Sequence, residues 1–260
     1  MRIQQSVCYP MVRPAEIPLA SFVARVARMG FPAIELWGRD AHFAEAVDLA
    51  REHGLAIAIM GGHESLTVGL NDAAQHDRIE AELHESIDIA AELGIPGVIC
   101  FSGNRREGVG EAEAIATTVA GLRRVAPYAE AKGVNLNIEL LNSKIDHPGY
   151  DCDHSAWGFA VCEQVDSPNV KVLFDIYHMG VMEGDLIRTI RDNIRWIGHF
   201  HTAGVPGRRD LDDTQELNYR GICRAIAETG YNLYVGHEFR PKGEVYAALA
   251  TTFEICDQGE

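Results

Sequence analysis

Short apolar runs with strand character alternate with helical patterns along the chain, and this alternation constrains the fold more than any other feature. The runs cover 3–8, 33–37, 55–60, 97–101, 134–139, 170–175, 196–201 and 234–238. Between them, apolar residues recur at helical spacing. Phe22, Val23, Val26 and Ala27 mark a helix over 19–29. Ile79, Leu83, Ile87 and Ala91 mark another, of roughly twenty residues, ending near Leu93. Further helices are expected over 41–53, 111–132, 155–165, 184–193, 219–229 and 245–256. Gly30, Gly54, Gly94 and Gly133 supply stops.

Eight strand–helix units in 260 residues imply a parallel sheet closed on itself, a (β/α)8 TIM barrel forming one domain over 1–260. A doubly wound sheet is the rival. It usually carries a glycine-rich phosphate turn after its first strand, a role that Cys8-Tyr9-Pro10-Met11 cannot fill. The net charge of −15 disfavours nucleic acid and anionic membranes as main partners, because both require clustered Lys and Arg. No apolar run approaches the roughly 18 residues of a membrane helix, and the first residues lack the apolar core of a signal peptide. The six cysteines contain no C-x-x-C pair, so reduced thiols and a cytoplasmic location are expected. A homo-oligomer is compatible with all of this.

In such barrels the chemistry gathers at the C-terminal ends of the strands. The run Lys171-Val172-Leu173-Phe174-Asp175 ends in an acid, and a carboxylate there is costly unless a cation compensates it. Three other strands end similarly, in Asn137-Ile138-Glu139, His199-Phe200-His201 and Gly236-His237-Glu238. Side chains alternate along a strand. Glu139 therefore shares a face with Asn137, Asp175 with Leu173, His201 with His199, and Glu238 with Gly236, while His237 points the other way. Glu139, Asp175, His201 and Glu238 can thus converge on one divalent metal ion, and the mixed set does not choose among Mn, Mg, Co and Zn. The competing account pairs each acid with a nearby Lys or Arg; four ligand types at matching ends of consecutive strands favour the metal. Such an ion polarises a carbonyl, and Glu139 and Glu238 are placed to take and return a proton on the adjacent carbon.

Other candidates surround this set. His178 lies three residues past Asp175, either as a donor to a substrate oxygen or as a loop histidine against Tyr177. Arg208 is a candidate grip for a substrate carboxylate or hydroxyl, with Arg209 as competitor and an ion pair with Asp210 or Asp212 as the plainer role. The polar loop 142–150 offers Lys144 and His147, although such loops are solvated by default. Trp37 offers an apolar wall or ordinary packing, and His63 and Asn104 end strands three and four. There is no H-E-x-x-H, no P-loop and no G-x-S-x-G.

Asn137-Ile-Glu139, Phe174-Asp175-Ile-Tyr-His178-Met, Gly198-His199-Phe-His201 and Gly236-His-Glu238-Phe-Arg-Pro241 resemble the xylose isomerase-like TIM barrel family of sugar isomerases and epimerases. Within it the likeness is greatest to hydroxypyruvate isomerase and its relatives, through the loop Ala203-Gly-Val-Pro-Gly-Arg208 and Glu216-Leu-Asn-Tyr219. The likeness is strongest over 134–242. It implies a metal held by Glu139, Asp175, His201 and Glu238, catalysis by Glu139 and Glu238 through an enediolate, and substrate contacts from His178 and Arg208. It implies an isomerase of the hydroxypyruvate to tartronate semialdehyde type. The alternatives are a ketose 3-epimerase or keto-sugar lyase, and further off an abasic-site endonuclease or an inactive sugar-binding protein. Two features depart from the pattern: hydroxypyruvate isomerases tend to carry Gln where His201 stands, and the loop 142–150 differs.

Overall fold

The computed structural model describes residues 2–259. Its strands are β1 (Gln4–Cys8), β2 (Ala33–Glu35), β3 (Ala56–Ile57), β4 (Met60–Gly61), β5 (Gly97–Cys100), β6 (Asn135–Glu139), β7 (Val170–Asp175), β8 (Ile197–Thr202) and β9 (Tyr234–His237). All pair in parallel, in the order β3-β2-β1-β9-β8-β7-β6-β5-β4. The third expected strand is split. Its first half, β3, pairs with β2, and its second half, β4, pairs with β5. The residues between the halves still bridge the gap: Ala58 N donates to Ile34 O at 2.9 Å and Leu36 N to Ile59 O at 3.1 Å. The sheet therefore closes into an eight-fold barrel whose third stave switches partners midway.

The helices are α1 (Tyr9–Val12), α2 (Leu19–Arg28), α3 (Phe43–Glu52), α4 (His76–Leu93), α5 (Glu111–Lys132), α6 (Ser155–Val165), α7 (Ile176–Met182), α8 (Leu186–Asn193), α9 (Tyr219–Glu228) and α10 (Val245–Cys256). The amphipathic ones stand where periodicity puts them. On α2, Leu19, Phe22, Val23 and Val26 are buried, and burial of each such side chain stabilises by about 1.5–3 kcal/mol. Gly94 ends α4 at φ 70°, a left-handed conformation that costs glycine nothing. The short helices α1 and α7 lack an amphipathic signal. In α7, Ile176, Tyr177, His178 and Met179 are all buried, so no polar face marks it. Its start is fixed by Asp175, whose Oδ1 accepts from His178 N at 2.9 Å.

One large apolar cluster fills the space between the sheet and the helices. Inside the barrel the apolar filling is small: Ile59, Ile99 and Leu173, with Phe101 against them. Ser6, Asn137 and His199 at mid-strand, and Glu35 and His201 nearer the C-terminal ends, are buried as well, so part of the barrel interior is polar beneath that rim. No helix among the described residues is long and apolar enough to cross a membrane. The six cysteines are buried free thiols.

Candidate active site

Glu139 ends β6, Asp175 ends β7, His201 lies in β8 and Glu238 follows β9. One ligand atom from each lies within 4.8 Å of the others. His201 Nδ1 stands 3.4 Å from Glu139 Oε1 and from Glu238 Oε2, and 3.9 Å from Asp175 Oδ2. All four side chains are buried. His237 points out of the barrel as parity requires, between Thr202 Oγ1 at 2.8 Å and Gln5 Oε1 at 2.9 Å.

Beneath this set lies an acid that the sequence reading passed over. Glu35, at the end of β2, takes His199 Nε2 on Oε1 and His201 Nε2 on Oε2, each at 2.9 Å, and Ser6 Oγ also donates to Oε1. Burial pushes the Glu35 carboxyl up, but the two imidazoles outweigh it and hold the group well below the usual carboxylate range. An ionised carboxylate only accepts, so both Nε2 atoms carry hydrogen. His201 Nδ1 is then turned toward three carboxylates, buried and with no hydrogen-bond partner. Burial opposes charge on this ring, but Glu238 and Glu35 push its pKa well above the ordinary value. The position calls for a cation at Nδ1.

The residues fit a divalent ion. Three carboxylates and one imidazole make a mixed O/N donor set, and the second nitrogen of the imidazole is pinned by a carboxylate, as in metal-ligating histidines generally. Glu35, His199 and His201 also lie close enough to form a second group, but their ligand atoms are already hydrogen-bonded to one another.

Glu238 is held from both sides. Trp37 Nε1 donates to its Oε1 at 3.1 Å, and Arg208 Nη2 donates to its Oε2. Cys8 Sγ approaches Oε1 at 4.0 Å. Burial raises the Glu238 carboxyl, but Arg208 and His201 together hold it well below its ordinary range. Burial raises Glu139, and it pushes Asp175 up to about 7. Arg208 sits at φ 57°, sparsely populated for a residue with a Cβ, and its guanidinium lies 5.8 Å from the centre of the Tyr177 ring. The loop that holds it is clamped: Tyr219 Oη donates to Ala203 O at 2.7 Å and accepts from Ala203 N at 3.1 Å. Arg209 turns to the surface, toward Arg240 O at 3.4 Å.

A cavity of about 940 Å³ opens over the set, lined by Trp37, His63, His147 and Arg208 with Glu139, His201 and Glu238. His63 Nε2 accepts from Phe101 N at 2.9 Å, and burial lowers its pKa to about 4, so the ring is neutral with its proton on an unpaired Nδ1. His178 is fully buried behind the wall, its ring 5.3 Å from that of His147. Lys144 and Asn104 do not line the cavity. Lys144 Nζ rests on Val181 O at 3.3 Å, and Asn104 bridges to Tyr150. Trp37 is 46% exposed, a wall of the pocket rather than packing between strand and helix. Glu35 shares strand parity with Trp37, and that was the signal available for it in the sequence.

An eight-fold parallel barrel with acids and a histidine gathered at its C-terminal rim defines the class. Residues 23–254 match the model of the xylose isomerase-like TIM barrel, and the chain belongs to that family. Among its relatives is a human protein provisionally named hydroxypyruvate isomerase, 28% identical over 242 residues that span 89% of this chain and 87% of that protein. The 2-oxo-tetronate isomerase of Haemophilus influenzae is 29% identical over 240 residues, 90% of this chain and 92% of its own. Of solved structures, AP endonuclease, family 2 from Brucella melitensis superposes with a TM-score of 0.85 at 23% identity, covering 98% of each chain. D-psicose 3-epimerase from Clostridium cellulolyticum H10 superposes at 0.79 and 20% identity, covering 98% of this chain and 100% of that one. At these identities the two structures share the fold.

Proposed function

We propose that this chain is a divalent-metal-dependent isomerase of small hydroxy-carbonyl compounds, of the hydroxypyruvate to tartronate semialdehyde type. The observation that carries the proposal is the convergence of Glu139, Asp175, Glu238 and an unpaired His201 Nδ1 within 4.8 Å. The names of the curated relatives support it, since both describe isomerases of oxo acids. When bound, the ion supplies Lewis-acid polarisation of the substrate carbonyl. Glu139, Asp175, His201 and Glu238 hold it.

The other steps belong to the chain's own groups. Glu139 and Glu238 come from β6 and β9, which β7 and β8 separate in the sheet, so they flank a substrate lying between them. One removes the proton beside the carbonyl and the other returns a proton. Arg208 grips a substrate oxygen and steadies Glu238, while Trp37 and His147 wall off water. The partner is a small molecule. The net charge of −15 opposes a DNA backbone despite the fold shared with an AP endonuclease.

The cavity supports a second reading. At about 940 Å³ it exceeds what a three-carbon acid needs, which favours epimerisation of a longer keto-sugar by the same proton transfer. NMR in D₂O separates the two on hydroxypyruvate and a panel of ketoses with Mn²⁺, Mg²⁺, Co²⁺ or Zn²⁺ added. The isomerase yields an aldehyde product with label at the neighbouring carbon. Label confined to the original carbon with inverted configuration marks an epimerase, and no exchange on any substrate refutes both.

A further inference from the structure

We infer that Asn142 is a positioning residue that fixes the tautomer of His178, so that His178 presents Nε2–H as a permanent donor beside the proposed metal ligands. The role of that donor toward substrate rests on the function proposed above; the tautomer does not.

Asn142 is buried just beyond β6. Its Oδ1 accepts from the backbone N–H of Ile145 at 3.0 Å and of Asp146 at 2.9 Å. Backbone N–H groups only donate, so the atom facing them is the oxygen and the amide cannot be flipped. Its nitrogen therefore faces the other way. One hydrogen goes to Asp146 Oδ2 and the other to His178 Nδ1, both at 2.6 Å. Tyr177 Oη donates to the same Asp146 oxygen at 2.8 Å and holds it in place.

An amide nitrogen only donates, so His178 Nδ1 accepts and carries no proton. The neutral ring then bears its hydrogen on Nε2. That atom is buried, has no hydrogen-bond partner, and lies 3.7 Å from Asp175 Oδ2, on the side of the ligand set. The ring is held by the Tyr177 ring at 5.0 Å and by its own backbone N–H on Asp175 Oδ1. A buried donor left unpaired is costly, and a substrate oxygen that reaches the set from the cavity, past the His147 ring that packs against His178, would pair it. The polar character of the loop 142–147 thus acts inward, through Asn142, rather than outward through Lys144.

The test exchanges amide and acid. In the double variant Asn142→Asp/Asp146→Asn, the acid at 142 still accepts from the backbone N–H groups of residues 145 and 146 and now accepts from the new side-chain amide at 146. It can only accept from His178, so the ring proton moves to Nδ1. Long-range ¹H–¹⁵N spectra with diamagnetic Mg²⁺ read this directly. The His178 signals are found among the eleven histidines by their loss in His178→Ala. Wild type and the single variant Asp146→Asn are expected to show a bare Nδ1, and the double variant a protonated one. A protonated Nδ1 in wild type, or a bare one in the double variant, overturns the assignment of Asn142. The donor role is read by replacing the ring with one amide at each reach. His178→Gln keeps a donor near the Nε2 position and His178→Asn does not, so kcat/KM is expected to be about tenfold higher in the Gln variant. Equal kcat/KM overturns the donor role. Absence of turnover in wild type on every substrate refutes the proposed function, and the spectra still decide the tautomer.

Discussion

Glu35→Gln changes one atom of the barrel interior and is expected to weaken metal binding without unfolding the protein. Glu35 Oε1 faces two donors, Ser6 Oγ–H and His199 Nε2–H, whereas Oε2 faces only His201 Nε2–H. The glutamine carbonyl takes the position with two donors, which leaves its NH₂ against His201. An amide N–H there requires His201 Nε2 to accept, and the ring proton moves to Nδ1, the atom proposed to bind metal. Recovering the ligating tautomer forfeits one charge-assisted hydrogen bond, about 1.5–3 kcal/mol. At about 1.4 kcal/mol per decade, the Kd for Mn²⁺ rises by about 10- to 100-fold, the range typical of groups that orient metal ligands. Titration calorimetry of Mn²⁺ into metal-stripped protein measures this, with circular dichroism melts in EDTA as the check on folding. Glutamine is isosteric, so the stripped variant should melt cooperatively. Mn²⁺ affinity within twofold of wild type in a folded Glu35→Gln protein refutes the claim that Glu35 sets the ligating nitrogen.

Other changes separate roles that lie close together. Asp175→Ala should lose Mn²⁺ by calorimetry and also about 1 kcal/mol of helix capping, because its Oδ1 caps α7. His178→Ala should keep Mn²⁺ and lose turnover; release of the metal would mean that the ligand set is wrong. Gly236→Ala should lower stability by about 1–3 kcal/mol in chemical denaturation, because a β-carbon there overlaps the Glu35 carboxylate. His63 predicts acid sensitivity: burial lowers its pKa from 6.5 to about 4 in the fold, so as pH falls the unfolded chain binds the proton first. Its contribution is complete above pH 6.5 and is lost as pH falls from 6.5 to 4, an amount of about 3 kcal/mol. His63→Gln should flatten the pH dependence of the unfolding free energy across that window.

The features legible in the sequence were those with a local period. The helices Glu111–Lys132, Ser155–Val165 and Val245–Cys256 fall on the expected residues, the first of them closed by Gly133 in the left-handed conformation. Strand parity brought Glu139, Asp175, His201 and Glu238 to one place. The break in the third stave was hidden, because it depends on two neighbouring strands and no local residue marks it. For Glu35 only its parity with Trp37 was local; what it does was hidden, because its partners lie 164 and 166 residues away on β8. For Lys144, a long polar side chain in a polar loop carries no directional signal, and its ammonium settles on a backbone carbonyl. The resemblance prefers Arg208 to Arg209, and residue type alone does not choose between them; the loop puts Arg208 inside and Arg209 outside.

The Glu35 contact places a two-sided demand on residue 201. Whatever stands there must offer a proton to the barrel floor and a lone pair to the rim, from atoms fixed in one side chain. A neutral imidazole meets both demands, and so does a carboxamide, with its NH₂ on Glu35 and its oxygen on the ligand set. A carboxylate fails on the floor side, an ammonium fails on the rim side, and a thioether has no proton to give. His201→Gln should therefore retain Mn²⁺ binding, whereas His201→Glu and His201→Met should not. The interior acid thus narrows which residues can serve at the rim, and it makes His and Gln interchangeable there although their side chains share no functional group.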